Sequence, residues 1–319
     1  MSRVLIITPA DRSSRSGNRV TANRWVTMLR AIGHQVSVAQ TFRRQKCDVM
    51  IAMHAKHSSA AVAEIGLHSP ETPVILMLTG TDLYRDIHRS AMAMWTVESA
   101  DRLVALQDRG GDSLPPLARE KLRVIYQSAE RPAKSLLPLA DVFEVCVAGH
   151  LRAVKDPFRA EMASRQLPPE SQIRIVHVGD ALTPAMRQKA THAVANNPRY
   201  RWLGSQTRAR TRQLIGRSRV VVISSKMEGG ANVIAEALVA GTSVLASRIS
   251  GNVGMLGDDY SGYFELGNTS QLCKLLERLE NEDTFRRELH RQCKARAALF
   301  APSTEIAALR RLLSEIGIR

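Results

Sequence analysis

Short β-branched runs alternate with amphipathic segments along the whole chain, and this rhythm most constrains the possible fold. The first series of apolar runs comprises residues 4–7, 36–38, 48–53, 74–78, 103–106 and 124–126. Apolar residues at helical spacing lie between these runs, as in residues 19–31. Short buried strands that alternate with helices are typical of parallel sheets built from βαβ units. The pattern therefore predicts an α/β protein.

The rhythm breaks once and then resumes. Residues 131–141 contain two prolines and little strand signal, which is typical of a linker between domains. A second series of apolar runs follows at residues 143–148, 173–178, 200–203, 220–223 and 243–246. We therefore expect two Rossmann-like, doubly wound domains, with residues 1–138 in the first and 139–300 in the second. Open parallel sheets bind ligands at the carboxyl ends of their strands, so we expect the functional site in a cleft between the domains.

Length and composition exclude several classes of protein. At 319 residues and 44% hydrophobic content the chain can bury substantial cores. No apolar stretch approaches the roughly 20 residues that span a bilayer, and residues 4–8 are too short for a signal peptide. The cysteines are scattered without a CxxC pair, which suits a reducing compartment, and they are Cys47, Cys146, Cys273 and Cys293. We expect a cytoplasmic protein without a membrane span.

The charge balance indicates an anionic partner. Lys and Arg number 45 against 30 Asp and Glu, which leaves a formal charge of +15. Nucleic acid is the usual partner of such a chain, but aromatic residues make up only 4%, and neither a zinc-finger motif nor an aromatic-bearing RNA motif is present. We interpret the cluster of arginines before residue 220 as a solvated helix face; it comprises Arg208, Arg210, Arg212, Arg217 and Arg219. His54 and His57 lack a nearby acidic or thiol ligand, so we expect no metal site there.

Two glutamates separated by seven residues follow the apolar run 220–223. Gly229 and Gly230 lie between Glu228 and the predicted helix 232–240, at the turn from strand to helix. Free N–H groups at a helix start bind phosphates, and glycines let an anion approach closely. Carboxylates accept hydrogen bonds from sugar hydroxyls, which suits Glu228 to a hexose and Glu236 to a ribose diol. The simpler alternative is an ordinary turn with two solvated glutamates.

Basic residues follow two other predicted strands. The loop at residues 9–19 comes after the first strand, and it can hold an anion through Arg12, Arg15, Gly17, Asn18 and Arg19. The stretch at residues 149–155 follows the first strand of the second series. Its Arg152 and Lys155 suit the neutralisation of a departing diphosphate.

Nearly the whole chain resembles the GT-B glycosyltransferases that use nucleotide sugars and carry a Glu-x7-Glu signature. The matching stretches are residues 9–17, 33–36, 124–127, 149–155, 202–204 and 228–241. The resemblance implies that Glu228 contacts the donor hexose and Glu236 the ribose. It further implies donor contacts from His150, Leu203, Gly204, Gly229, Gly230, Ala231 and Asn232. No cofactor or metal is implied, and the segment 301–319 is expected to pack back on the first domain.

Two positions depart from the family pattern. His150 stands where many relatives carry arginine, so Arg152 is expected to supply that charge. Thr79 replaces the histidine that commonly contacts the donor sugar, within a string that continues to Thr81 and Asp82.

Three long strings, at residues 17–25, 78–86 and 150–159, resemble one subfamily, the selenosugar synthases of selenoneine biosynthesis. That resemblance implies C–Se bond formation between selenophosphate and a UDP-sugar such as UDP-N-acetylglucosamine. The implied catalytic residues are Glu228, Lys155, Arg152 and Thr79. From their charge and their positions at strand ends, we expect the acceptor to be bound by Arg12, Arg15, Gly17, Asn18, Arg19, Thr81 and Asp82, with Lys56 or Arg85 as further candidates. An O- or S-glycosyltransferase is the alternative.

Overall fold

The computed structural model describes residues 1–13, 16–132 and 136–318. The chain divides into two compact units. The first unit comprises Met1–Gln127, Glu228–Gly230 and Pro302–Arg319. The second comprises Ser128–Met227 and Ala231–Ala301.

The first unit is built on a six-stranded parallel sheet in the order β2-β1-β3-β4-β5-β6. Its strands are β1 (Arg3–Ile7), β2 (Gln35–Ala39), β3 (Val49–Met53), β4 (Val74–Met77), β5 (Arg102–Ala105) and β6 (Leu122–Val124). Its connecting helices are α1 (Gly17–Ala31), α2 (Ser59–His68), α3 (Ala91–Ser99) and α4 (Pro116–Glu120), with a π-helical turn at Asp82–Asp86 and a 3₁₀ turn at Asp108–Ser113. Every residue of β3 and β4 is buried, as expected for strands that are covered on both faces.

The second unit contains another six-stranded parallel sheet, in the order β12-β11-β10-β7-β8-β9. Its strands are β7 (Phe143–Ala148), β8 (Ile173–Val178), β9 (Tyr200–Trp202), β10 (Val220–Ile223), β11 (Ser243–Ser247) and β12 (Tyr263–Phe264). Its helices are α5 (Arg159–Ser164), α6 (Pro184–Asn196), α7 (Arg208–Arg217), α8 (Asn232–Ala240), α9 (Ser250–Leu256), α10 (Thr269–Asn281) and α11 (Asp283–Arg296). Short 3₁₀ turns lie at Ala153–Lys155 and Ala297–Phe300.

Each sheet has one point at which the strand order reverses direction. In the first sheet it lies between β1 and β3, and in the second between β7 and β10. The loops after neighbouring strands diverge to opposite faces at such a point, which leaves a crevice at the carboxyl ends of the strands. We therefore expect the loops that follow β1, β3, β7 and β10 to bind ligands.

The predicted strands are confirmed with two differences. The last strand of the first sheet is Leu122–Val124, two residues before the predicted run at 124–126. The edge strand Tyr263–Phe264 was not predicted, because two residues are too few to show an alternating pattern. Among the described residues, no helix is both long enough and apolar enough to cross a membrane.

The last helix, α12 (Pro302–Ser314), packs against α1 in the first unit through a buried carboxylate. Glu305 is 1% exposed. Its Oε1 accepts a hydrogen bond of 2.8 Å from the indole N–H of Trp25, and its Oε2 lies 3.1 Å from Nε of Arg24. A buried charge is stable only when it is paired and hydrogen-bonded, so this contact fixes the register of α12 on α1.

We expect Glu305→Ala to lower the free energy of unfolding of the first unit by about 3–5 kcal/mol, because it strands a buried guanidinium and an indole N–H. Urea denaturation followed by tryptophan fluorescence measures the effect. Glu305→Gln keeps an acceptor for Trp25 and should cost less than Glu305→Ala. A loss below about 1 kcal/mol for Glu305→Ala would match an exposed ion pair instead and contradict the assignment.

Candidate functional site

In the second unit, the loop after β10 is tied to the loop after β7. The hydroxyl of Ser224 donates to the carbonyl of Asp156 at 2.8 Å. The backbone N–H of Lys226 donates to the carbonyl of Val154, also at 2.8 Å. These bonds bring the 3₁₀ turn Ala153–Lys155 beside Ser224 and Lys226, which follow β10. The loops after β7 and β10 thus lie together at the point where the strand order reverses.

A buried histidine holds the end of β7. His177 on β8 lies between the carbonyl of Gly149 (Nε2 to O, 3.2 Å) and the hydroxyl of Tyr200 (Nδ1 to O, 2.9 Å). A carbonyl only accepts, so Nε2 carries the proton and Nδ1 accepts from the tyrosine. Burial lowers the pKa of His177 to about 4, although the Gly149 carbonyl acts in the opposite direction. His150, the next residue along, accepts at Nδ1 from the N–H of Asp180 at 3.0 Å.

The neutral state of His177 should make the second unit sensitive to acid. Its pKa in the folded chain lies below the 6.5 of an exposed histidine, so this contribution to stability is complete above pH 6.5 and disappears as the pH falls through about 4. At about 1.4 kcal/mol per pH unit the loss is roughly 3 kcal/mol. Thermal unfolding of wild type and His177→Gln between pH 7.5 and 4 measures it. The variant should show a flatter profile, and parallel profiles would contradict the assignment.

The loop expected to contact the base is held by the same framework. The N–H of Leu203 donates to the His177 carbonyl at 2.9 Å, and Gly179 donates to the Gly204 carbonyl at 2.9 Å. The Trp202 indole N–H donates to the Gly179 carbonyl at 2.7 Å. Gly204 has φ of 64°, a conformation that glycine adopts without strain. These bonds shape the loop after β9 and leave the side chains of Trp202 and Leu203 half-buried.

Helix α8 starts directly after the glycine pair. Ala231 is its N-cap residue and donates its N–H to the sulfur of Met255 at 3.1 Å, and Asn232 is the first helical residue. Glu236 lies in the second turn and is 9% exposed. Its Oε1 accepts from Nε of Arg208 and from Nε of Arg212, each at 3.4 Å.

The interpretation of the arginine cluster as a solvated face is therefore wrong for Arg212 and Arg217, whose side chains are mostly buried. Arg208 and Arg212 pair with Glu236, and Arg217 donates from Nε to the buried carboxylate of Glu144 at 2.9 Å. Arg210 and Arg219 are exposed. Helical spacing showed which residues share a face of α7, but it did not show which acidic residues lie opposite.

In the first unit, the segment Glu228–Gly230 lies against the turn after β4. A Cβ on Gly229 would lie 2.4 Å from the Thr79 carbonyl oxygen, and a Cβ on Gly80 would lie 2.9 Å from the Gly229 nitrogen. Gly80 also has φ of 130°, which residues with side chains rarely adopt. Neither glycine can gain a side chain without a shift of backbone. Glu228 is 9% exposed beside this contact.

Asp82 organises the turn that contains Thr79 and Gly80. Its Oδ1 accepts from the backbone N–H groups of both residues at 2.8 Å, and its Oδ2 accepts from the N–H of Ala55 at 3.0 Å. The residue is fully buried. Both oxygens therefore hold backbone, and the carboxylate joins the end of β4 to the end of β3.

His54 is a further candidate residue for the site, and the sequence pattern alone predicts no role for it. It follows β3 directly, is buried, and has φ of 78°. Its Nε2 lies 3.1 Å from the Thr81 hydroxyl and 3.6 Å from Asp86 Oδ2. Burial lowers the pKa of His54, and Asp82 opposes that shift. Its position after β3, where the strand order reverses, is the signal that could have found it. Within the described ranges, no group of three or more His, Cys, Asp or Glu side chains is arranged to hold a metal.

The loop after β1 leads into the N-terminus of α1. Arg15 lies outside the described residues, and Arg12 is exposed. Gly17 begins α1, followed by Asn18 and Arg19, and the first turn contains no acidic residue. Nε of Arg19 is buried, and it has no hydrogen-bond partner in the part of the chain that the structure describes. A buried guanidinium nitrogen beside the N–H groups of a helix start is suited to an anion.

The geometry agrees with what comparisons with known proteins show. Among solved structures, the HepE protein of Anabaena in complex with UDP-glucose is similar with a TM-score of 0.79 and 17% identity, covering 99% of this chain and 100% of that one. The sucrose-phosphate synthase of Thermosynechococcus elongatus is similar with a TM-score of 0.81 and 13% identity, covering 99% and 98%. Both likenesses establish the fold, which is the GT-B fold predicted from the sequence.

A comparison with curated proteins finds no match. The sequence model of the family described as "Glycosyl transferases group 1" matches residues 130–299, more than half of the chain. That match covers the loops after β7, β9 and β10 together with the start of α8. The chain therefore belongs to the group 1 glycosyltransferases.

Proposed function

We propose that the protein is a selenosugar synthase that transfers the sugar of a UDP-sugar, most simply UDP-N-acetylglucosamine, to selenophosphate. Selenium attacks the anomeric carbon, a C–Se bond forms, and the C–O bond to UDP breaks. Hydrolysis of the Se–P bond by water then releases phosphate and leaves the selenosugar. Residues 1–138 carry the acceptor in this proposal, residues 139–300 carry the nucleotide sugar, and residues 301–319 pack on the first domain.

The proposed binding of the UDP-sugar donor rests on the connection between the loops after β7 and β10. Because Ser224 and Lys226 bond to the 153–156 turn, Arg152 and Lys155 lie beside the run that leads to the N-terminus of α8. Two cations and a helix start suit the diphosphate of a leaving UDP. The Anabaena structure with UDP-glucose and an Escherichia coli structure bound to UDP-2-fluoro glucose share this fold, which supports a UDP-sugar as donor.

In this proposal Glu228 contacts the hexose and Glu236 the ribose diol. The backbone of Gly229, Gly230, Ala231 and Asn232 receives the phosphate, His150 adjoins the diphosphate, and Leu203 with Gly204 borders the base. The positive charges and helix N–H groups neutralise the leaving group, so we assign no metal to the reaction.

We propose that selenophosphate binds at the carboxyl ends of β1, β3 and β4. The N-terminus of α1 supplies N–H groups, and Arg19 supplies a buried Nε without a described partner. Arg12 and Arg15 add charge, while Arg85 is held at 2.8 Å by Asp86 and Lys56 is exposed. Selenium in selenophosphate is already a strong nucleophile, so Thr79 in place of a histidine is compatible with the reaction. Positioning and electrostatic stabilisation then carry the catalysis.

The proposal is tested by product masses. Purified protein is incubated with UDP-N-acetylglucosamine and selenophosphate, thiophosphate or a small alcohol, and the products are read by mass spectrometry. We expect UDP together with a selenium-containing sugar in the first reaction. Release of UDP without a selenium-containing product would reject selenophosphate as the acceptor.

The alternative is an O- or S-glycosyltransferase that acts on another small acceptor. The similarity to a sucrose-phosphate synthase is the observation that favours it. Products in the alcohol or thiophosphate reactions, with none from selenophosphate, would establish this alternative.

A further inference from the structure

The carboxylate of Glu236 is held from one side only. Both described partners, Arg208 and Arg212, bond to Oε1. In the described part of the chain no hydrogen bond reaches Oε2, and this atom is not among the buried polar atoms that lack a partner. The side chain keeps 10% of its accessible surface. One oxygen is therefore fixed by α7 while the other remains available to a ligand.

The two arginines differ in how firmly they are held. The Arg212 side chain is 16% exposed and also lies 3.5 Å from Glu130, whereas the Arg208 side chain is 46% exposed. The arginine fork is rigid and planar, so a half-buried arginine with two carboxylate partners restricts the carboxylate that it holds. Arg212 is thus the firmer support of Glu236, and Arg208 is the more mobile one.

We propose that Arg212, assisted by Arg208, is a positioning residue that orients Glu236 for the ribose diol and so gives the site its preference for ribonucleotides. This inference rests on the proposed function, in which Glu236 binds the ribose. Holding Oε1 leaves Oε2 directed toward the two hydroxyls, because a carboxylate whose first oxygen is fixed has little rotational freedom left. A carboxylate that is already oriented for hydrogen bonding loses less conformational entropy when the diol binds.

A simpler role is available to the same arginines. A buried carboxylate needs a positive partner, and Arg212 would supply that charge whether or not ribose binds. The positive charges of Arg208 and Arg212 would also attract any diphosphate near the site. The two roles differ in one measurable respect. Only positioning makes the effect of Arg212 depend on the ribose hydroxyl.

The test compares the binding of UDP and 2′-deoxy-UDP by isothermal titration calorimetry. The two ligands share the base and the diphosphate and differ by one hydroxyl of the diol. A hydrogen bond to a charged group corresponds to about tenfold to a hundredfold in affinity, so wild type should prefer UDP by at least about tenfold. Glu236→Gln should reduce that preference to within about threefold.

Arg212→Gln should reduce the preference to a similar level, mainly by weakening UDP. Arg212→Lys keeps the charge without the fork and should behave in the same way. Arg208→Gln should have a smaller effect in the same direction. The double variant Arg212→Gln with Glu236→Gln should show no further loss of preference than Glu236→Gln alone, since the residues act as a unit.

Arg210→Gln is the matched control. Arg210 lies on the same helix, carries the same charge and is exposed. The Arg210→Gln variant should therefore prefer UDP over 2′-deoxy-UDP as strongly as wild type does. Equal weakening of both ligands by Arg212→Gln and Arg208→Gln would overturn the inference, because the arginines would then attract only the diphosphate. If Arg212→Gln does not fold, Arg212→Lys and Arg208→Gln decide the question. Failure of wild type to bind UDP would overturn the donor assignment itself, a result distinct from an unchanged preference in the variants.

Discussion

Replacing Lys155 by methionine should lower the turnover number about 10²–10³-fold, with a much smaller change in the affinity for UDP-sugar. The residue lies in the 3₁₀ turn that Ser224 and Lys226 tie to the loop after β10. Its ammonium is proposed to meet negative charge that grows on the diphosphate as the C–O bond breaks. An interaction that strengthens in the transition state affects turnover more than binding. Steady-state release of UDP from UDP-N-acetylglucosamine measures the effect.

The matched control for this prediction is Lys189→Met. Lys189 is an exposed residue of α6, and its replacement removes the same charge from the same unit. Turnover in this control should stay within about twofold of wild type, as for an exposed charge far from the chemistry. Wild-type turnover in Lys155→Met would remove Lys155 from the catalytic residues.

Gly229→Ala should lower turnover by about 10²-fold. The added methyl would lie 2.4 Å from the Thr79 carbonyl oxygen, a distance at which backbone must move. Glu228 precedes Gly229 directly, so the shift displaces the carboxylate proposed to contact the hexose. A misplacement of about 1 Å is enough for a loss of this size. Turnover and the midpoint of thermal unfolding should be measured together, so that loss of function is separated from loss of fold.

Gly66→Ala provides the control for the added methyl group. Gly66 lies within α2, and a Cβ at that position meets nothing within 4 Å. This variant should keep full activity and gain slightly in stability, because alanine is favoured over glycine inside a helix by about 1 kcal/mol. Unchanged activity in Gly229→Ala would show that the turn at Thr79 and Gly80 accommodates a side chain.

Much of the fold was predictable because its signals are local. The alternation of β-branched runs with helical spacing predicted β1 through β5 and β7 through β11, and two prolines marked the break between the two series. A strand shorter than three residues shows no alternating pattern, so the sequence does not predict Tyr263–Phe264. The glycine pair before α8 also predicted the turn from strand to helix, because the need for glycine at such a turn is local.

The partners of individual side chains were less predictable. Asp82 was expected to bind the acceptor, and in the structure its carboxylate bonds to three backbone N–H groups. His54 Nε2 lies 3.1 Å from the Thr81 hydroxyl, a contact that the sequence pattern does not predict. Both outcomes depend on which strand ends are neighbours in the first sheet. That neighbourhood follows from the strand order and not from spacing along the chain.

The sequence by itself determined the two α/β series, the strand-to-helix turn with its two glutamates, and the basic stretches at the strand ends. These features are properties of neighbouring residues, and period, glycine and charge encode them directly. Only the tertiary structure decided that α7 brings Arg208 and Arg212 to Glu236, 28 and 24 residues away, and that the 153–156 turn bonds to the loop after β10. Such pairings are set by how helices pack on a sheet and by which strands adjoin, and many packings are compatible with the same local pattern.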